Sequence, residues 1–213
     1  MMTPREILNI SPVIPVVAID DANKAVELSN ALLEGGINII EVTLRTPDAL
    51  KAMELISKNV PDMILGGGTV LNGEQLDSII NVGCKFAISP GFSKSLLEYA
   101  PKKDIPLIPG VGSASEIMGA MEYGYDAFKL FPANVVGGID ALKAFEGPFK
   151  DVVFCPTGGV KPDNLSQYLE LKNVACVGGT WITSKGLINT NSFRQITANC
   201  KEALNNIHNL KIE

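Results

Sequence analysis

The sequence predicts an α/β chain folded as a single-domain (β/α)8 barrel of the TIM type over residues 1–213. Three observations lead there. Eight short runs, apolar rather than alternating, recur about every 20–25 residues, which is the pattern of parallel strands covered by helices. Eight such units in 213 residues fit a compact closed barrel better than an open doubly wound sheet. The first strand-to-helix turn lacks G-x-G-x-x-G, and no linker or composition break marks a second domain.

The elements follow in order. Ile7 and Leu8 pack a first helical turn, and residues 13–19 (VIPVVAI) form a buried strand. Asp20 or Asp21 caps the next helix, which stops at Gly35-Gly36. Strand two is 38–44 (NIIEVTL), and Thr46-Pro47 opens a helix with proline in its first turn. Strand three is 64–70 (ILGGGTV), followed by Asn72 as the cap of a helix reaching to about Asn81. Strand four, 86–89 (FAIS), closes on Pro90-Gly91, and strand five, 106–111 (PLIPGV), leads into Ser113-Ala114-Ser115-Glu116, which has capping-box chemistry. Strand six lies in 127–132 (AFKLFP), and Gly137-Gly138 then opens a helix ending near Gly147-Pro148. Strand seven is 152–155 (VVFC), strand eight is 174–177 (VACV), and a terminal helix spans 192–208.

Composition narrows the function. The chain is 46% hydrophobic and 19% charged, so it is globular, and its net charge of −5 argues against nucleic acid as a partner. The first residues, Met1-Met2-Thr3-Pro4-Arg5-Glu6, lack the basic-then-apolar order of a secretory signal, and no run approaches the ~18 apolar residues of a membrane span. A soluble cytoplasmic protein is expected. Cys84, Cys155, Cys176 and Cys200 form no C-x-x-C pair and are expected to be reduced and structural, with no metal site. The lone histidine, His208, reads as a solvated helix residue, which leaves histidine-based metal and serine hydrolase chemistry without its ligand or base.

The polar residues inside apolar strands carry the chemistry. Lys129 sits in the middle of AFKLFP. A buried lysine tends towards the neutral amine, the form that attacks a carbonyl; the other reading is a strand-edge lysine with its head in water. Glu41, Thr43 and Arg45 share one face of strand two. Glu41 and Arg45 are either an internal ion pair or a general base and a carboxylate clamp. Thr69 and Thr157 end strands three and seven, each a hydroxyl suited to a substrate oxygen or to a turn. Thr157-Gly158-Gly159 and Gly178-Gly179-Thr180 stand after strands seven and eight, where barrel enzymes recurrently hold a phosphate on backbone N–H groups. A phosphate grip, one lysine and one acid–base carboxylate suffice for a Schiff-base lyase.

These motifs resemble the bacterial 2-keto-3-deoxy-6-phosphogluconate (KDPG) / 4-hydroxy-2-oxoglutarate aldolases from about Val13 to Ala203. The resemblance is carried by Ile40-Glu41-Val42-Thr43-Leu44-Arg45-Thr46, Gly66-Gly67-Gly68-Thr69-Val70 and Phe86-Ala87-Ile88-Ser89-Pro90-Gly91. It continues through Phe128-Lys129-Leu130-Phe131-Pro132-Ala133, Cys155-Pro156-Thr157-Gly158-Gly159-Val160 and Val177-Gly178-Gly179-Thr180-Trp181. It implies a homotrimeric, cofactor- and metal-independent class I aldolase, a carbon–carbon lyase releasing pyruvate and D-glyceraldehyde 3-phosphate. By that resemblance Lys129 forms the imine, Glu41 moves protons through a water, and Arg45 and Thr69 hold the carboxylate beside Pro90. Thr157 meets substrate hydroxyls, and Gly158, Gly159, Gly179 and Thr180 take the phosphate. Trp181 and the exposed helices are the candidates for a trimer interface. An aldolase for the 6-phosphogalactonate epimer and a non-catalytic sugar-phosphate-binding barrel are the alternatives. One departure concerns charge: strand one ends in Ile19-Asp20-Asp21 where several members carry a basic residue, which lowers the expected attraction for phosphate.

Overall fold

The computed structural model describes residues 2–210, with side chains through residue 207; the side chain of His208 therefore lies outside the described residues. Among the described residues nine strand segments run parallel: β1 Val13–Val17, β2 Ile39–Thr43, β3 Ile64–Gly68, β4 Phe86–Ile88, β5 Leu107–Ile108, β6 Gly110–Val111, β7 Ala127–Leu130, β8 Val153–Pro156 and β9 Val177–Gly179. They fall into two sheets, ordered β5-β4-β3-β2-β1-β9 and β6-β7-β8. β5 and β6 are halves of one stave interrupted at Pro109, and the parallel bridges Phe154↔Val174 and Thr157↔Gly178 join β8 to β9. The ring therefore closes with the expected eight staves.

Ten helices accompany them among the described residues: α1 Pro4–Leu8, α2 Ala25–Glu34, α3 Ala49–Asn59, α4 Gly73–Asn81, α5 Lys94–Tyr99, α6 Ala114–Met121, α7 Gly138–Glu146, α8 Leu165–Leu169, α9 Lys185–Asn189 and α10 Phe193–Leu210. Side-chain oxygens cap several of them: Thr3 receives the Glu6 N–H, Asn72 the Gln75 N–H, Ser93 the Leu96 N–H and Ser113 the Glu116 N–H. Alternation along the staves sorts the core into two layers. Phe128 of β7 and Phe154 of β8 point outward, 6.2 Å apart, and the Phe154 ring stacks on Phe145 of α7 at 6.0 Å. In β3, Gly67 gives its space to Ile79 of α4, whereas a Cβ on Gly66 would strike the Phe86 ring inside the barrel. Small residues also let α10 close on α2: a Cβ on Gly35 would lie 2.4 Å from the Cys200 Cβ.

Several boundaries differ from the sequence reading. Strand eight is 177–179 rather than 174–177, because Val174 and Ala175 are held as a turn and bridge by Val174 N–H to Leu171 O and Ala175 N–H to Phe154 O. The helix expected to open at Thr46-Pro47 begins at Ala49, with the proline ahead of it in a turn. A 3-10 turn over Ala22–Lys24, capped by Asp21, precedes α2. The short helices α5 and α8 were not read from the sequence; at five or six residues they carry too little periodicity to register.

Candidate active site

Glu41 is the third residue of β2 and Lys129 the third of β7. Those staves are four apart in either direction around the ring, so their inward side chains meet across the bore. Lys129 Nζ lies 3.1 Å from Glu41 Oε1 and 3.2 Å from Oε2, with Lys129 only 3% and Glu41 only 1% exposed. The sequence left Lys129 without a named partner in its strand, and the structure supplies one. Such a pair is stable only when both partners are present, since removing one strands the other charge.

The neighbouring backbone makes room for this pair. A Cβ on Gly68 would lie 2.1 Å from Glu41 Oε1 and 2.6 Å from its Cδ, so glycine at this position lets the carboxylate lie against β3. Lys129 stands in register with Gly110 on one side and Cys155 on the other. A Cβ on Gly110 would strike Pro90 C and O at 2.3 Å, which places the Pro90 backbone against the strand beside Lys129. Phe131, two residues beyond Lys129, sets its ring centroid 5.3 Å from Nζ. Its role was not read from the sequence, although its parity with Lys129 would have put it on the same face.

The other predicted residues fall into two groups on the C-terminal face. Arg45 is exposed in the turn after β2, and its Nε donates to Thr69 Oγ1 at 3.2 Å. The turn is tied to β3 by Leu44 N–H to Gly68 O at 2.8 Å. Bonding through Nε leaves the terminal guanidinium nitrogens as donors for a planar carboxylate. Thr69 holds φ of +57°, a left-handed conformation that costs a β-branched residue about 1–3 kcal/mol, a level of strain that concentrates at functional sites.

The second group closes the ring between β8 and β9. Thr157 is buried, 3.4 Å from Cys155 O, and Gly178 opposite it has no Cβ because one would lie 2.1 Å from Thr157 Oγ1. Gly158 and Gly159 adopt φ of +101° and +78°, and their loop turns its carbonyls away: Ala133 N–H donates to Thr157 O and Asn134 N–H to Gly158 O. Among the described residues the N–H groups of Gly158, Gly159 and Thr180 donate no hydrogen bond, so three adjacent donors are open to an anion. Gly179 serves packing as well, since a Cβ there would lie 2.7 Å from the Trp181 ring. That ring is half-buried against the loop.

Two other lysines close to strand ends, Lys85 and Lys161, are both exposed, Lys85 just ahead of β4 at the N-terminal end. Around the Pro90 turn and the ends of β6 and β7 a cavity of about 290 Å³ opens among Pro90, Gly110, Gly112, Glu116, Phe131 and Val136, with Lys129 outside its lining. A larger one, about 680 Å³, lies at the opposite end of the barrel around Val152 and Val153, away from the buried pair. Among the described residues no group of three or more His, Cys, Asp or Glu side chains is placed to hold a metal ion, and no helix is long and apolar enough to cross a membrane.

Residues 5–199 match the family model of the KDPG and KHG aldolases. The KHG/KDPG aldolase of Escherichia coli K12 is 46% identical over 200 residues, covering 94% of each chain. The 2-dehydro-3-deoxy-phosphogluconate aldolase of Pseudoalteromonas atlantica is 45% identical, covering 94% of this chain and 93% of its own. The crystal structure of a KDPG aldolase from Legionella pneumophila, with pyruvate captured as a covalent carbinolamine, superposes with a TM-score of 0.93 at 46% identity. It covers 95% of this chain and 98% of its own.

Proposed function

The chain belongs to the KDPG and KHG aldolase family, and from that premise we propose that it is a class I aldolase splitting 2-dehydro-3-deoxy-6-phosphogluconate into pyruvate and D-glyceraldehyde 3-phosphate. The observation that carries the reading is the buried Lys129–Glu41 pair, an amine and a carboxylate 3.1 Å apart at the C-terminal end of a barrel. 4-Hydroxy-2-oxoglutarate, which presents the same 2-keto acid, is the second substrate and yields glyoxylate as the aldehyde.

The geometry supports the following sequence of steps. The carboxylate of the substrate is held by the terminal guanidinium nitrogens of Arg45 beside Thr69, which turns the C2 carbonyl towards Lys129. The amine adds to C2; Glu41 takes and returns the protons that convert carbinolamine to iminium with loss of water. The iminium withdraws electrons from C3. Glu41, through a water, then removes the C4 hydroxyl proton, the C3–C4 bond breaks, and the aldehyde leaves while an enamine remains on Lys129. Protonation of C3 and hydrolysis of the iminium release pyruvate. Thr157 faces the substrate hydroxyls, and the open N–H groups of Gly158, Gly159 and Thr180, with Gly179 as the last residue of β9, form the phosphate end.

Borohydride reduction in the presence of pyruvate, followed by peptide mass mapping, tests this. A stable adduct on Lys129 is expected. An adduct on another lysine overturns the site, and no adduct on folded protein favours a binding barrel without catalysis.

We propose in addition that the chain is one domain and works as a homotrimer in the cytoplasm. Exposed apolar side chains, including Met118 (61%) and Val135 (74%), offer surface for association, and four buried unpaired thiols suit a reducing compartment. Sedimentation equilibrium giving three times the 22.7 kDa chain mass is the expected result.

A further inference from the structure

Strand β1 runs into Asp20, whose negative charge stands at the ring position next to the β9 glycines, since β1 and β9 pair with Pro15 opposite Gly179. A bare carboxylate there would repel a phosphate dianion. It is not bare. Lys185, five residues beyond Thr180, places Nζ 3.0 Å from Asp20 Oδ1 and 3.2 Å from Oδ2. The far end of the same helix is held as well: Lys24 Nζ donates to Ile188 O at 3.3 Å and Asn189 O at 2.7 Å. Helix α9 is thus fastened to the β1–α2 segment at both ends, with its one lysine as its first residue, five positions along the chain from Thr180.

We propose that Lys185 is the charge that selects phosphorylated substrate, parked on Asp20 until phosphate arrives. The inference rests on the aldolase reading, with its phosphate at Gly158, Gly159 and Thr180. Both partners are well exposed, Lys185 by 59% and Asp20 by 42% of the side chain, so their bond is weak and easily exchanged. A phosphate offers a lysine more charge and more acceptor oxygens than a carboxylate does. On that exchange Asp20 works against the phosphate, while Lys185 works for it. The acidic end of strand one, which on sequence alone counts against phosphate, becomes one half of a charge pair whose other half is 165 residues away.

The two partners therefore predict opposite effects, which a purely structural tether does not. The readout is kcat/KM for 2-dehydro-3-deoxy-6-phosphogluconate divided by that for 4-hydroxy-2-oxoglutarate, which has no phosphate. Lys185→Gln is expected to lower the ratio roughly fivefold through KM, and Asp20→Asn to raise it by a similar factor. Lys185→Arg is expected to restore most of the loss. If Lys185→Gln and Asp20→Asn move the ratio in the same direction, or neither moves it, the inference is overturned. The premise fails separately: a wild-type protein that cleaves neither substrate, or shows no preference for the phosphorylated one, refutes the phosphate reading before any variant is made.

Discussion

Lys129 and Glu41 stand 88 residues apart in the chain and 3.1 Å apart across the barrel, each all but sealed from solvent. On the proposed aldolase reading the lysine depends on its partner: an amine that adds to a carbonyl has to give up a proton, and the carboxylate 3.1 Å away is held by a different stave of the same ring. Their coupling shapes what substitution does.

Glu41→Gln keeps the side-chain volume and removes the base. It is expected to lower kcat by ~10²–10⁴-fold, the range for losing a positioned general acid–base group. Borohydride trapping of pyruvate on Lys129 should persist at a reduced rate. Trapping that disappears would mean that Glu41 shapes the lysine rather than moves protons.

Lys129→Ala is expected to abolish turnover and trapping together. It also strands a buried carboxylate, so the variant should lose about 3–5 kcal/mol in urea unfolding. The double variant Lys129→Met with Glu41→Gln, equally inactive, is expected to recover most of that loss. Recovery separates the energetic role of the pair from its chemical one.

Two adjacent glycines give a sharper comparison. Gly68→Ala drives a methyl group into the Glu41 carboxylate and is expected to lower kcat about 10–100-fold. Gly67→Ala drives the same group into Ile79, 2.6 Å away on the outer layer, and is expected to destabilise by about 1–3 kcal/mol. Measured by thermal melts and steady-state kinetics side by side, the first should cost mainly rate and the second mainly Tm.

Arg45→Lys keeps the positive charge but loses the fork that can hold Thr69 and a carboxylate at once. The pyruvate concentration needed for half-maximal borohydride trapping is expected to rise about tenfold, as for loss of a bidentate contact. An unchanged value would remove Arg45 from the carboxylate end.

Burial pushes the Cys84 and Cys200 thiols up to about 12, and it raises Cys176 as well, with the Cys155 thiol beside it adding to the effect. A group whose folded pKa is raised leaves stability intact below its unfolded pKa and weakens the fold as pH climbs towards the folded value. Tm is therefore expected to be flat up to about pH 8.5 and to fall from there towards pH 12. At pH 8 a disulfide reagent should find no rapidly reacting thiol in native protein, and four after unfolding.

The sequence by itself determined the staves, because buried parallel strands must be apolar throughout and the turns between them need glycine, proline or a capping side chain. It also singled out the polar residues that stand inside or at the ends of apolar strands. A lysine inside Ala127-Phe128-Lys129-Leu130 has few explanations, and paired glycines at two neighbouring strand ends have fewer. Local pattern cannot say who meets whom. Lys129 with Glu41, Arg45 with Thr69 and Asp20 with Lys185 are pairings between different elements, fixed by ring closure and strand register. The interruption of the fifth stave at Pro109 and the late start of β9 were decided the same way, by which backbone groups find partners once the barrel is shut.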